Sequence, residues 1–249
     1  EQWWENPRPT DTLWHEWCTR RFGPAAATTV VAALQKSRAF ITQGVCAGGM
    51  PLMDHSGIAT YSWQPGSVAS AWAVFARPGE LLVDKPYDEL AGNEFRPWQI
   101  KARGVAIDEF LRNSREAEAA MHEALAEIDS VREQLAAEDA GYLRRCFEDA
   151  LWMIEAVRRT AVAARANAVC LAEPDESNRL ALEEACAAME AFADDVETER
   201  GSDFRAVHWF LTTWYQGREI AGYGVPTALR AFAGAFRTSI ASKETRCCM

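Results

Sequence analysis

The chain has 249 residues, is 49% hydrophobic and 25% charged, and carries a formal net charge of −10, which suits one large helical domain or two small ones. The acidic balance, with no dense basic patch, excludes a nucleic-acid partner, whose phosphates need clustered Lys and Arg, and disfavours an anionic membrane surface. No apolar run is long enough to span a bilayer; residues 151–170 come nearest and are broken by Glu155, Arg158, Arg159 and Arg165.

Trp3 and Trp4 stand almost at the front of the chain, before a proline-marked turn at Asn6-Pro7-Arg8-Pro9. Bulky apolar side chains at that place have nothing upstream to pack against, so residues 1–23 are expected to be a junction where a larger protein hands over to its C-terminal part. A cap at Thr10 or Asp11 opens a helix ending at Phe22-Gly23, with Leu13, Trp14, Trp17, Cys18 and Phe22 on one stripe. Pro24 suits the first turn of a second helix reaching about Thr42, because its missing N–H costs little there. Gly44, Gly48 and Gly49 then end helical order, and residues 43–66 read as a long loop rich in Gly, Met, His and aromatics. Residues 67–76 suggest a short helix, and 80–84 is the one plausible strand in a segment broken by Pro78, Pro86, Gly92 and Pro97.

From about Val105 the pattern becomes almost wholly helical. Ala117, Met121, Leu125, Ile128, Val131 and Leu135 share one core spacing, and a helix opening at Asp139 carries Leu143, Phe147, Ile154 and Val157. Pro174-Asp175 starts another with Leu182, Cys186, Met189 and Phe192. Gly201-Ser202 caps an expected helix bearing Val207, Phe210, Leu211, Trp214 and Tyr215, and Pro226 starts a last one. The expected class is all-α: an antiparallel helical bundle over 105–249, a helix-and-loop region over 24–104, and the junction at 1–23. No alternation of buried strands with helices occurs, so the chain holds no (β/α)₈ barrel. The seven cysteines have an odd count and no paired spacing, which points to buried thiols in a reducing, cytoplasmic compartment rather than to a disulfide framework.

One order of motifs stands out: Trp4, Asn6-Pro7, Glu16-Trp17, Phe22-Gly23, Ser37-Arg38, Gly48-Gly49-Met50 and His55. In that order they resemble the start of the C-terminal helical domain of family 67 glycoside hydrolases, the α-glucuronidases, and residues 113–170 resemble that family's closing helical hairpin. The resemblance implies a C-terminal accessory domain in carbohydrate metabolism, of the kind that degrades xylan. Such a domain buttresses a catalytic barrel, lends a rim loop to its sugar site and offers a homodimer surface. The catalytic carboxylates would then lie on the barrel and none in this chain. Where the family loop has an aromatic just before its Met, this chain has Gly49, so Tyr61 and Trp63 are the aromatics left to stack on a sugar.

The expected substrate-binding residues are therefore Asp54, His55, Tyr61 and Trp63. An Asp-oriented His can donate to a sugar hydroxyl or carboxylate; the plainer alternative is that His55 pins the loop and that Tyr61 and Trp63 anchor it to the helices. Glu116, Glu118, Glu123 and Glu127 read as a solvated helix face, and Trp3, Trp4, Trp14 and Trp17 as packing against the barrel. No Glu-x-x-His pair, zinc-ligand spacing or phosphate-binding loop occurs, so neither metal nor cofactor is expected. The competing expectation is a non-catalytic module for dimerisation or protein interaction, built on the hairpin at 113–170.

Overall fold

The longest helix among the described residues packs against three of the others. In the computed structural model the described residues are 9–47, 50–51, 53–54, 57–58, 106–204, 212–215, 218–221 and 224–247. Among them the class is all-α. The described residues form six α-helices: α1 (Thr10–Phe22), α2 (Pro24–Ala39), α3 (Ala106–Ser130), α4 (Ala137–Ala172), α5 (Glu176–Arg200) and α6 (Val225–Cys247). Three two-stranded antiparallel pairs accompany them: β1 (Cys46–Ala47) with β2 (Met50–Pro51), β3 (Met53–Asp54) with β4 (Gly57–Ile58), and β5 (Thr212–Tyr215) with β6 (Arg218–Ala221).

Local chemistry accounts for the helix ends. Asp11 lies in the first turn of α1 and Arg20 and Arg21 in its last, matching the sign of the helix dipole at each end. Gly23 then takes φ +86°, and its N–H bonds to the Thr19 carbonyl at 3.1 Å. That backbone angle favours glycine, and the next residue is the Pro24 that opens α2. At α5 the Asp175 carboxylate accepts from the Asn178 N–H at 2.8 Å, a side-chain N-cap, and Gly201 at φ +91° closes the far end.

Neighbouring helices run antiparallel, as their ion pairs show. Arg144 meets Asp129 close to the α3–α4 connection, whereas Arg158 meets Glu118 far from it. Between α4 and α5, Arg200 pairs with Glu148 and Arg159 donates to the Ala188 carbonyl. Between α5 and α6, Arg230 takes Asp194 and Glu197, and Arg237 takes Glu183 and Glu190. Helix α4 touches α3, α5 and α6, and its middle is lined with small, fully buried residues, Ala156, Ala161, Ala163 and Ala164. Small side chains let three neighbours approach one helix. Around them Phe110, Met121, Ile128, Met153, Ile154, Met189, Leu229, Phe232 and Phe236 are essentially inaccessible to solvent, each contributing roughly 1.5–3 kcal/mol of transfer free energy.

Five sequence expectations need correction. Helix α2 ends at Ala39 rather than Thr42, and a π-helical turn, Phe40–Gly44, carries the chain on. The reason is a close approach: a Cβ on Gly44 would lie 2.7 Å from Ile154 Cγ1 and 3.2 Å from Ala117 Cβ, so the wider turn brings bare backbone against α3 and α4. The expected helix after Ser202 is not formed through Tyr215. Thr212–Tyr215 pairs instead with Arg218–Ala221, with Tyr215 opposite Arg218; Thr, Trp and Tyr favour a pleated strand. Residues 80–84 are therefore not the one strand candidate, and both they and the short helix expected at 67–76 lie outside the described residues. Finally, the α3 carboxylates are not merely solvated: Lys36 reaches Glu127 at 2.6 Å, Gln43 reaches Glu116 and Arg158 reaches Glu118, so they staple α2 and α4 to α3. Of the thiols, Cys18, Cys170 and Cys186 are buried as expected, but Cys146 is exposed.

Candidate functional site

The four residues singled out from the sequence fall largely outside the described part of the chain. Asp54 is in β3, where it faces Gly57 of β4 across the pair, and β4 touches α6. His55, Tyr61 and Trp63 lie outside the described residues. Trp3 and Trp4 do too, but Trp14 and Trp17 are placed. They are 42% and 44% exposed on α1, with ring centroids 6.0 Å apart at 88°. Trp17 repeats the edge-to-face contact with Phe22 at 5.5 Å and 86°, and the Arg21 guanidinium lies over the Phe22 ring. On this helix only Cys18 is buried. The apolar stripe read from the sequence is therefore split: one edge enters the core and the aromatic edge faces out. Aromatic pairs of this geometry hold each other's rotamers, so the face is a formed surface.

A second feature was not singled out by the sequence. An open groove of about 430 Å³ lies between α4 and α5, lined by Glu148, Leu151, Trp152 and Glu155 from α4 and by Glu199 and Arg200 from the end of α5. The α4 residues recur at spacings of three and four, so they share one helical face; that pattern was legible, but its partners a helix away were not. Trp152 stacks on Phe192 at 5.4 Å and 28°. Glu148 is held by Arg144 at 2.9 Å and Arg200 at 3.0 Å. Glu155 is held by Arg158 and Arg159, each Nε at 2.7 Å. Arg200 also approaches the buried Asp149 at 3.5 Å.

Glycoside hydrolysis needs one carboxyl kept protonated by its surroundings and a second across the scissile bond. The inner carboxylates of this groove, Glu148 and Glu155, are each clasped by two guanidiniums. Among the described residues there is also no group of three or more His, Cys, Asp and Glu placed to hold a metal ion. His15 bonds Thr28 and Thr19 instead. No described helix is long and apolar enough to cross a membrane.

Comparison with known proteins finds no family model, no curated protein and no solved structure that matches the chain.

Proposed function

We propose that this chain is a helical accessory domain that docks on a larger catalytic unit through the aromatic face of α1, within a glycoside hydrolase resembling the α-glucuronidases. One observation supports the docking: Trp14 and Trp17, neighbours in an edge-to-face ladder, stand over two-fifths exposed. Indoles are costly to leave in water and are enriched at interface centres. The glycoside-hydrolase assignment rests on the order of sequence motifs alone.

In this reading the helices form one antiparallel bundle that buttresses a barrel. The segment after Gly44 lends a rim to the sugar site, where Asp54, His55, Tyr61 and Trp63 meet the carbohydrate, and the barrel supplies both catalytic carboxylates. The buried thiols Cys18, Cys170 and Cys186 fit a reducing, cytoplasmic setting. The coding sequence preceding Glu1 tests the reading: a strand–helix barrel with paired carboxylates is expected, and a free-standing reading frame overturns it. The chain alone is expected to turn over no aryl glucuronide; measurable turnover would show that it contains its own catalytic acids.

The same exposed face supports a second reading, a homodimerisation or protein-interaction module. The first reading also expects a homodimer, so sedimentation equilibrium separates the two by which surface carries the contact. Concentration-dependent dimers that vanish on replacing both tryptophans favour the second.

A further inference from the structure

The groove between α4 and α5 has no part in the docking described above, yet its wall repeats a recognition motif. Arg159 lies over the Phe192 ring, 4.8 Å from the centroid, while its Nε donates to Glu155 at 2.7 Å. One guanidinium thus satisfies an aromatic face and a carboxylate together, which its planar, weakly hydrated fork suits better than an ammonium does. The ladder then continues from Phe192 to Trp152, whose indole lines the groove.

Beyond Trp152 the same two kinds of partner are offered again. Glu199 lines the groove at the exposed end of α5 and, among the described residues, is in no ion pair. Glu148 and Glu155 are already clasped and serve as the frame. Arg200, whose side chain is 12% exposed, is engaged by Glu148 and Asp149, so no loose cation opposes an incoming one. The guanidiniums around the groove, Arg144, Arg158, Arg159 and Arg200, are all engaged by carboxylates, and the chain as a whole is acidic, at −10.

We propose that this groove docks the guanidinium of an arginine side chain presented by a partner polypeptide, laid against Trp152 and paired with Glu199. A volume of about 430 Å³, open along one side, accommodates a long side chain entering from a neighbouring surface. The site does not depend on the glycoside-hydrolase reading and would stand if that reading fell.

Indole N–H resonances of the 249-residue chain, labelled with ¹⁵N, provide the test. There are ten tryptophans, and W152F identifies the relevant signal by its loss. Titration with N-acetylarginine amide is expected to shift that signal saturably, whereas the citrulline analogue, equal in shape but uncharged, leaves it in place. E199Q, a change at an exposed position, is expected to weaken the arginine probe about two- to fivefold, and raised salt to weaken it similarly. A tripeptide with arginine between two glycines is expected to bind at least as well as the amide; loss of binding there would assign the pocket to a free small molecule and overturn the proposal. An equal response to citrulline, no response to arginine, an arginine response untouched by E199Q, or a saturable response to xylobiose in its place would each overturn it as well.

Discussion

Arg21 and Asp139, 118 positions apart in sequence, form a two-pronged ion pair that fastens the end of α1 to the first turn of α4. The Asp139 side chain is 10% exposed and that of Arg21 53%, so the carboxylate has given up its water and the guanidinium has not. Removing the arginine strands a buried charge; removing the charge from the carboxylate strands nothing comparable. R21M is therefore expected to cost about 1–3 kcal/mol, and R21M combined with D139N distinctly less than the sum of the two single changes. Urea unfolding of the four proteins measures the coupling, and strict additivity would mean that the pair contributes nothing.

Gly44 makes the second prediction. The space a Cβ would need is filled by Ile154 at 2.7 Å and 3.1 Å and by Ala117 at 3.2 Å. G44A is expected to destabilise by about 1–3 kcal/mol through overpacking. Because the obstacles at 2.7 Å and 3.1 Å are Ile154 Cγ1 and Cδ1, both absent from alanine, I154A should cost distinctly less in the G44A background than alone, where it only opens a cavity. A thermal-unfolding series over the two single variants and the double variant shows it; strictly additive losses would place the strain in the backbone.

These two contacts mark how far the sequence could be read. The helices were legible because Met121, Ile128, Met153, Ile154 and Leu182 recur at helical spacing, and because Pro24, Asp175 and Gly201 are residues that start or stop helices for steric and hydrogen-bonding reasons. Residues 207–215 misled because Val207, Phe210, Leu211 and Trp214 fit a helical period, while Thr212-Thr213-Trp214-Tyr215 fits an alternating strand; pairing with Arg218–Ala221 decided between them. Arg21 with Asp139, or Trp152 and Glu199 in one groove, depends on which helices become neighbours, and no local pattern encodes that.

Acid should weaken the α5–α6 and α3–α4 seams in a defined direction. A hydrogen bond from Arg237 holds the Glu190 carboxyl below its ordinary range, and one from Arg158 does the same for Glu118. A carboxyl depressed in the folded state contributes stability above its unfolded pKa, near 4.3, and that contribution is lost as pH falls through the lower folded value. Both glutamates are about two-fifths exposed, so each pair is screened and worth ~0.2–1 kcal/mol. R237M should therefore be less stable than the parent at neutral pH, with the gap closing below about pH 4. A constant gap across the titration would assign the loss to packing of the arginine stem.

The thiols predict a labelling pattern. Burial pushes the Cys186 thiol up to about 11, so at mildly alkaline pH it is both enclosed and protonated, and thiolate is the reactive form. Its raised folded-state value adds stability below the unfolded thiol range that is lost as pH rises through about 11. Iodoacetamide on the native protein, mapped by peptide mass spectrometry, is expected to modify the exposed Cys146 and to spare Cys18, Cys170 and Cys186 until denaturant is added. Native modification of Cys186 would mean that α5 and α6 separate readily.

The outward edge of α1 allows stability and association to be told apart. Trp14 and Trp17 are exposed by 42% and 44%, so over half of each residue is covered in the folded chain, and replacing both with serine forfeits that burial together with their mutual contact and that with Phe22. The cost to folding should be about 1–3 kcal/mol. The effect on the surface should be larger, because two adjacent indoles dominate any apolar patch they belong to. The double variant is expected to elute earlier in hydrophobic-interaction chromatography and to lose whatever self-association the parent shows in sedimentation equilibrium, with its unfolding midpoint lowered but its transition still cooperative. A large loss of stability with unaltered retention would show that the indoles face inward in solution, and the docking role assigned to α1 would fall with them.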